Sequence, residues 1–434
     1  MANESKEVTV EVETLGPRGD GIAKNPGGGA RGRLYIAGAL PGEQVRVRPG
    51  NKRGDGLEAK LLEIVTPSSD RAVPPCRHFA TCGGCSVQHL ALDAYHAWKR
   101  ELVTTAIQRV GFDPEIVAPL VPTAAGGRRR ATFAAFRPRA KDSKTFFGFH
   151  TRASRHVVEL EECLILHPEL MALVPKLREV LADIVPPGAR WDVSVTRVDN
   201  GFDVLIVAAH EPGPDASMAL AMFADQQGLA RVAWQLEGSS REDIEPVALH
   251  RMPVLELSGV PVEIPPGVFL QASAEAERVL AGLVVEAAEG SRVADLYCGV
   301  GTFALPLAAA GAKVMAVDGD GAAIGALARA AGTAGFGGQV MAEERDLVRR
   351  PLAAADFRRI ETIVFDPPRA GAAVQAEEIA QTNASRVVAV SCNPTTFARD
   401  ALVLTEGGYT LERITPVDQF VWSGHVELVA VFSR

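Results

Sequence analysis

Short, largely apolar runs recur along the last third of the chain at Val293–Leu296, Lys313–Val317, Ile363–Phe365 and Val387–Val390, each three to five residues long and rich in β-branched side chains. Apolar residues on consecutive positions are expected for strands buried on both faces, and Ala-rich helical stretches between them predict an open α/β sheet of the Rossmann type. Upstream, the period drops to two. Val8-Thr9-Val10-Glu11-Val12 alternates, Leu34-Tyr35-Ile36 and Val45-Arg46-Val47 form short strands, Leu61–Val65 closes the module, and Gly16 to Gly21 and Gly27-Gly28-Gly29 read as turns. Five short strands in about sixty residues predict a small Greek-key β-barrel of OB-like type, an architecture often used on oligonucleotides. Between these modules, Tyr95–Val110 has the spacing of an amphipathic helix, expected to pack on the α/β domain that follows. Trp191–Val198 and Phe202–Ala208 meet at Asp199-Asn200-Gly201, a hairpin signal. At ~150 residues per domain, the 434 residues, 47% of them hydrophobic, divide into a barrel at 1–67, a central α+β domain at 68–262 and an α/β domain at 263–434.

The ends of the predicted strands carry the candidate chemistry, because ligands of an open α/β sheet bind beyond the carboxyl ends of its strands. Cys392 stands in Val390-Ser391-Cys392-Asn393-Pro394-Thr395, directly after an apolar run; its alternative is a small buried hydrophobe. Val293–Ala304 is a strand broken at Gly299 and Gly301 before the apolar helix Leu305–Ala310, and glycines there let a ligand approach the backbone while the helix amino end offers free N–H groups. The next strand ends in Asp318, placed to accept from ribose hydroxyls, so the pair reads as a nucleoside site or, more loosely, a dinucleotide fingerprint; a tight turn with a surface Asp is the bland alternative. Asp366 lies in Asp366-Pro367-Pro368-Arg369, where two prolines fix the loop and leave the carboxylate free for a ligand. Glu427 interrupts an apolar terminal strand, which is costly unless the charge is paired or used, or lies on an exposed edge.

Asp-Leu-Tyr-Cys-Gly-x-Gly-x-Phe, Asp-Pro-Pro-Arg-x-Gly, Ser-Cys-Asn-Pro-x-Thr and His-Val-Glu, in this order over residues 295–427, resemble the S-adenosylmethionine-dependent RNA 5-methyluridine methyltransferases. The resemblance implies that Cys392 adds to carbon 6 of uracil, making carbon 5 nucleophilic toward the sulfonium methyl group, and that Glu427 then removes the carbon 5 proton. It also implies cofactor contacts from Tyr297, Gly299, Gly301, Thr302 and Asp318, a position near the adenosyl group or the uracil for Asp346 and Asp366, and Gln271 in the pocket lining. Two departures, Ala272-Ser273 and Ala330-Ala331, replace family Asn positions.

Six cysteines are present, and Cys76, Cys82 and Cys85 with a distant Cys163 have ligand spacing. The polar amino terminus lacks a signal-peptide core and no run approaches the ~20 apolar residues that span a bilayer. A reducing, cytoplasmic compartment without membrane contact is therefore expected, where clustered cysteines bind metal. Spacing leaves zinc and iron–sulfur open. The family resemblance implies a [4Fe-4S] cluster, structural or RNA-positioning. Cys298 is expected in the core.

Net charge is −8, yet residues 1–156 carry 24 Lys and Arg against 15 Asp and Glu. The densest stretch runs from Arg128-Arg129-Arg130 through Arg137, Arg139, Lys141, Lys144 and Arg152 to Arg155, interleaved with Phe133, Phe136, Phe146, Phe147 and Phe149. Arg128, Arg129, Arg130, Phe133 and Arg137 are the candidate RNA contacts, offering charge to phosphates and rings to unpaired bases; a solvated hairpin with its rings in a core is the alternative. Residues 7–66 resemble a TRAM domain through Gly-Asp-Gly-Ile-Ala and Ala39-Leu40-Pro41-Gly42-Glu43. Barrel plus four cysteines most resembles the 23S ribosomal RNA (uracil-5-)-methyltransferases, implying a monomer that acts on that RNA. A transfer-RNA uridine-5 methyltransferase and a base-amine methyltransferase without covalent catalysis are the alternatives.

Overall fold

The computed structural model describes residues 7–27, 32–140 and 143–434, so the expected turn at Gly28-Gly29 and the basic-stretch member Lys141 lie outside the described residues. Strands β1 (Val8–Leu15), β2 (Asp20–Lys24), β3 (Arg33–Ala37), β4 (Gln44–Arg53) and β5 (Gly56–Thr66) close into a barrel in the order β1-β2-β3-β5-β4. Alternate side chains, among them Val10, Val12, Leu34, Ile36, Val45 and Val47, fill its interior. Period-two burial thus builds a core from strands too short to be stable singly.

Helix α1 (Leu92–Gln108) follows, and the central sheet is built from β6 (Arg130–Phe136), β7 (Phe146–His150), β8 (Val157–Glu159), β9 (Arg190–Val198), β10 (Gly201–Ala208), β11 (Arg231–Leu236) and β12 (Glu245–Leu249). Its strand order is β12-β11-β10-β9-β6-β7-β8. The expected β9–β10 hairpin pairs Val198 with Gly201, whose φ of 136° lies in the region open to glycine. Helices α2 (Pro168–Ile184) and α3 (Pro214–Gln226) cover this sheet, burying Leu170, Leu177, Leu181 and Phe223 with Phe133, Phe147, Val193 and Ile206.

After the short hairpin β13 (Val254–Leu257) and β14 (Val260–Glu263) come α4 (Ala274–Ala287), β15 (Arg292–Leu296), α5 (Ala304–Ala309), β16 (Lys313–Asp318), α6 (Gly321–Thr333), β17 (Val340–Glu344), β18 (Thr362–Phe365), α7 (Ala373–Ala380), β19 (Arg386–Ser391), α8 (Pro394–Glu406), β20 (Thr410–Val417) and β21 (Glu427–Ser433). The sheet order is β17-β16-β15-β18-β19-β21-β20. The first five strands are parallel, whereas β21 runs antiparallel to both β19 and β20.

The core of this sheet recruits residues from outside 263–434. Val103 and Ile107 of α1 and Val117 after it are buried with Leu296, Phe357, Leu428 and Phe432. Val117 and Val121 also bridge Ile414 and Val417 of β20. Residues 254–264 likewise pack Leu255, Leu257, Val260, Val262 and Ile264 against α4, α5 and α6. No helix among the described residues is long and apolar enough to cross a membrane.

Candidate active site

β19 ends at Ser391, which pairs with Leu428 of the antiparallel β21, so continuing the register sets Cys392 opposite Glu427. Asp366 leaves the end of β18, the next strand in the sheet. Because β21 lies inside the sheet, the exposed-edge alternative for Glu427 is excluded; its side chain is buried at 4% exposure.

Burial pushes the Glu427 carboxyl up to about 8, helped by the Asp366 charge and opposed by the Gln419 hydrogen bond and Lys99. Asp366 is raised to about 7 by burial, with the Gln271 bond opposing. The Cys392 thiol is raised to about 11 by burial and by Glu427 and Asp366, while Arg369 lowers it. Two carboxyls and a thiol are therefore mutually close and easily protonated, the condition in which one group can hold a proton while another gives one up.

Gln271, a sequence candidate, donates from Nε2 to Asp366 at 3.2 Å. Its Oε1 accepts at 2.8 Å from Gln419, a residue the sequence reading missed. Gln419 also donates to Glu427 at 3.1 Å and accepts from the Ala272 backbone N–H at 3.0 Å. The loop carrying Gln419 is braced by α1: buried Lys99 meets Asp418 at 2.8 Å, Tyr95 donates to Asp418 at 2.5 Å, and Lys99 also donates to the Phe420 and His425 carbonyls. The only advance signal was a buried-length helix with a Lys on its apolar face.

Cys392 lines a cavity of about 540 Å³ with Arg369, Asn393, Thr395, His425, Gly83, Gly84 and the barrel-tip residues Pro17 and Arg18. Asn393 caps α8 through Thr395 N–H and donates to the Arg369 carbonyl, which fixes the loop around the thiol.

The glycine loop lies at the carboxyl end of β15. Tyr297 holds φ at 61°, strained for a non-glycine, and Gly299 and Gly301 follow at 55° and 102°. A Cβ on Gly301 would lie 2.5 Å from a Leu327 methyl, whereas one on Gly299 would enter open space. Asp318 accepts from the Gly299 and Asp320 N–H groups, one per oxygen, leaving further lone pairs. Asp346, beyond β17, accepts from the Val348 and Arg349 N–H groups. Beneath the loop Asp295 is fully buried, and burial raises its pKa well above the carboxylate range, with the Ala304 backbone N–H opposing. Thr302 is half-buried at the foot of α5. An open backbone cradle at Gly299, flanked by the Tyr297 ring and the Asp318 carboxyl, fits a nucleoside cofactor.

Cys76, Cys82, Cys85 and Cys163 line a second cavity, of about 310 Å³, with Phe79, Gln88 and Arg128. Burial and their neighbouring sulfurs push Cys85 up to about 12 and raise Cys82 and Cys163. Among the described residues, no group of three or more His, Cys, Asp or Glu side chains is arranged to hold a metal ion. Cys298 is in the core as expected, at 3% exposure.

Two expected RNA contacts are corrected. Phe133 is fully buried, stacked on Phe149 at 5.0 Å and packed on Phe147, so it has no face for a base. Arg129 is buried against Glu277 at 2.5 Å and donates to the Gln271 carbonyl. Arg128, Arg130 and Arg137 are half-buried and engaged with carbonyls, those of Arg130, Val268 and Ser143 respectively. Exposed charge near the cleft comes from elsewhere: Arg18, Arg48 and Lys60, with half-buried Arg53 and Arg152 and the acids Asp20 and Glu58, line a neighbouring cleft of about 690 Å³ that shares Arg18, Gly83 and Ser86 with the Cys392 cavity, Arg48 being paired with Glu7 and Arg53 with Asp20.

The family model for tRNA (Uracil-5-)-methyltransferase matches residues 261–434. An uncharacterized RNA methyltransferase of Brucella suis is 40% identical over 431 residues, covering 99% of both chains. The 23S rRNA (uracil(1939)-C(5))-methyltransferase RlmD of Pectobacterium atrosepticum is 33% identical over 99% of this chain and 94% of its own. The crystal structure of Pyrococcus abyssi tRNA (uracil-54, C5)-methyltransferase with S-adenosyl-L-homocysteine shares the fold at TM-score 0.75 and 23% identity, covering 98% of this chain and all of the other. A nucleoside cradle, a thiol and a carboxyl at the end of one sheet define a methyltransferase, and the chain belongs to the S-adenosylmethionine-dependent RNA (uracil-5-)-methyltransferase family.

Proposed function

We propose that this protein methylates carbon 5 of a uridine in 23S ribosomal RNA, with Cys392 as nucleophile and Glu427 as base. The observation that carries this reading is the β19–β21 register, which sets a thiol opposite a buried carboxyl beside Asp366. Cys392 gives up its thiol proton to solvent, its sulfur forms a bond to uracil carbon 6, and the displaced π electrons give carbon 5 enolate character. Bound S-adenosylmethionine supplies the methyl group. Glu427 takes the carbon 5 proton, the electron pair re-forms the ring double bond, and the carbon–sulfur bond breaks to return the thiolate. Tyr297, Gly299, Gly301, Thr302, Asp318 and Asp346 would hold the cofactor, and Gln271 and Asp366 would face its reacting end and the base.

The ribosomal substrate is favoured by the full-length likeness to RlmD, and the basic cleft gives the RNA a route. Arg18 lines both the neighbouring cleft and the Cys392 cavity, so a strand crossing the barrel tip would meet a cation before the thiol. Exposed Phe269, two residues before Gln271, offers a ring to an unpaired base. The barrel is read as a TRAM-like module, the chain as a monomer, and the seams near residues 67 and 262 as its domain divisions.

Cys76, Cys82, Cys85 and Cys163 would ligate a [4Fe-4S] cluster. Four thiols brought from two separate chain segments to line one cavity fit a cationic centre that thiolates would ligate. Anaerobically purified protein should be brown, with absorbance near ~400 nm. A colourless protein holding one zinc would overturn the cluster.

The mechanism is tested by two variants. Cys392→Ala should abolish methylation while retaining RNA and cofactor binding. Glu427→Gln should leave protein covalently joined to methylated RNA on a denaturing gel, an adduct absent from the double variant. Methylation at the normal rate by Cys392→Ala would promote the base-amine alternative.

A further inference from the structure

The covalent reading leaves one buried side chain at the site without a role. Gln419, 6% exposed, contacts three partners drawn from both ends of the domain. A primary amide can be turned end for end, and then its donors and acceptor exchange places. Here the Ala272 N–H, buried and facing the amide at 3.0 Å, requires an acceptor, so the oxygen of Gln419 must point there. Its NH2 group is then committed to Gln271 Oε1 at 2.8 Å and Glu427 Oε1 at 3.1 Å. Gln271 is fixed in turn: its oxygen accepts, so its own NH2 points at Asp366. The polarity of the whole chain from Asp366 to Glu427 follows from one backbone N–H.

We infer that Gln419 is a positioning residue for the carbon 5 deprotonation: by donating to one oxygen of Glu427, it favours the carboxylate and leaves the other oxygen to take the proton. The inference rests on the covalent reading above, in which Glu427 is the base. A protonated acid could offer its own hydrogen to Gln419 only if the amide reversed, and reversal would strand the Ala272 N–H. The other charged and titratable groups facing Glu427 are Asp366 from the end of β18, Lys99 from α1 and Cys392 from the end of β19. Asp366 opposes ionisation of Glu427 and Lys99 favours it, so Gln419 acts with the lysine against the aspartate. Gln419 also ties the base to Gln271, so the residues that face the uracil and the residue that deprotonates it move as one unit.

The test uses full-length Gln419→Met, close in volume but without donor or acceptor, with Gln419→Asn as a second variant too short to span the three partners. Each is assayed over pH 6 to ~9.5 for methyl transfer and for covalent protein–RNA adduct. Loss of the donor should move the acid limb of the rate profile to higher pH, slow turnover about tenfold at pH 7, and let adduct accumulate at pH 7 that resolves on raising the pH. RNA and S-adenosylmethionine affinities should stay within a factor of about two. A profile of unchanged midpoint in both variants, or a uniform loss at every pH without adduct, would overturn the role of Gln419. Glu427→Gln is run alongside: if it forms no adduct, the covalent reading itself falls and this inference with it. Adduct in Glu427→Gln together with an unshifted Gln419→Met profile would sink the inference alone.

Discussion

Cys392 sits in surroundings that work against its ionisation, and this has a measurable sign. Its thiol is raised to about 11, with Glu427 and Asp366 among the causes and Arg369 opposing. Removing the Glu427 charge should lower it. At pH ~9, where Glu427, raised to about 8, is ionised, iodoacetamide should therefore label Cys392 faster in Glu427→Gln than in the unaltered protein, and more slowly in Arg369→Gln, as followed by mass spectrometry of its peptide. Equal rates in all three would show that these charges do not reach the sulfur. At this scale the sequence was legible where one residue type at one strand end has few uses, as with Cys392, Asp366 and Glu427. It was not legible where a role depends on several partners: nothing near Gln419 indicates Gln271, 148 positions earlier. The arginine run misled for a related reason. Composition counts charge but does not show direction, and Arg129 points inward to Glu277. The period-two pattern of β6, with Thr132 exposed and Phe133 buried, held the signal for Phe133.

The turn from β15 to α5 shows how much an element depends on one atom's room. Gly301 has φ of 102° and faces Leu327 with no space for a Cβ, and Leu305 crowds it at 3.0 Å. Gly301→Ala should strain the backbone and push the loop away from α6. We expect cofactor affinity to fall about tenfold or more and Tm to fall by a few degrees. Calorimetric titration with S-adenosylmethionine decides it, and unchanged affinity would detach this loop from the cofactor. The positions of β15, β16, β18 and β19 were legible, because a parallel strand buried on both faces has few other ways to appear in sequence, whereas β17, an edge strand with largely exposed side chains, left no such run. The antiparallel insertion of β21 was not, since pairing partners far apart in the chain leave no local mark.

Taken as a whole molecule, the catalytic sheet is not self-sufficient. Val103, Ile107 and Val117 belong to its core, and Lys99 and Tyr95 hold the loop that carries Gln419. A fragment of residues 263–434 alone should therefore expose an apolar face and lose its brace. It should be insoluble or lack a cooperative thermal transition by circular dichroism, whereas a co-expressed 68–262 segment should restore both. A soluble, cooperatively melting fragment would show that α1 merely decorates the sheet. The sequence reading anticipated that Tyr95–Val110 packs on this domain. Lys99 lies on the apolar face of that helix, but nothing in the neighbouring sequence names Asp418, the partner with which it is buried at 0% exposure.

The interior slot of β21 also bears on how the molecule comes together. β20 touches the sheet only through β21, and β21 must enter between two neighbours running opposite to it. The parallel strands that carry the glycine loop can zip up from consecutive strand–helix units, but thiol and carboxyl meet only when this last insertion closes contacts of long sequence separation, the slow class of folding event. Until then the open flank of β19 is an unpaired edge able to recruit another chain. The same arrangement that sets a carboxyl opposite a thiol thus makes that pair a late product of assembly, and leaves partly folded chains with a glycine-loop cradle but without the thiol and carboxyl side by side.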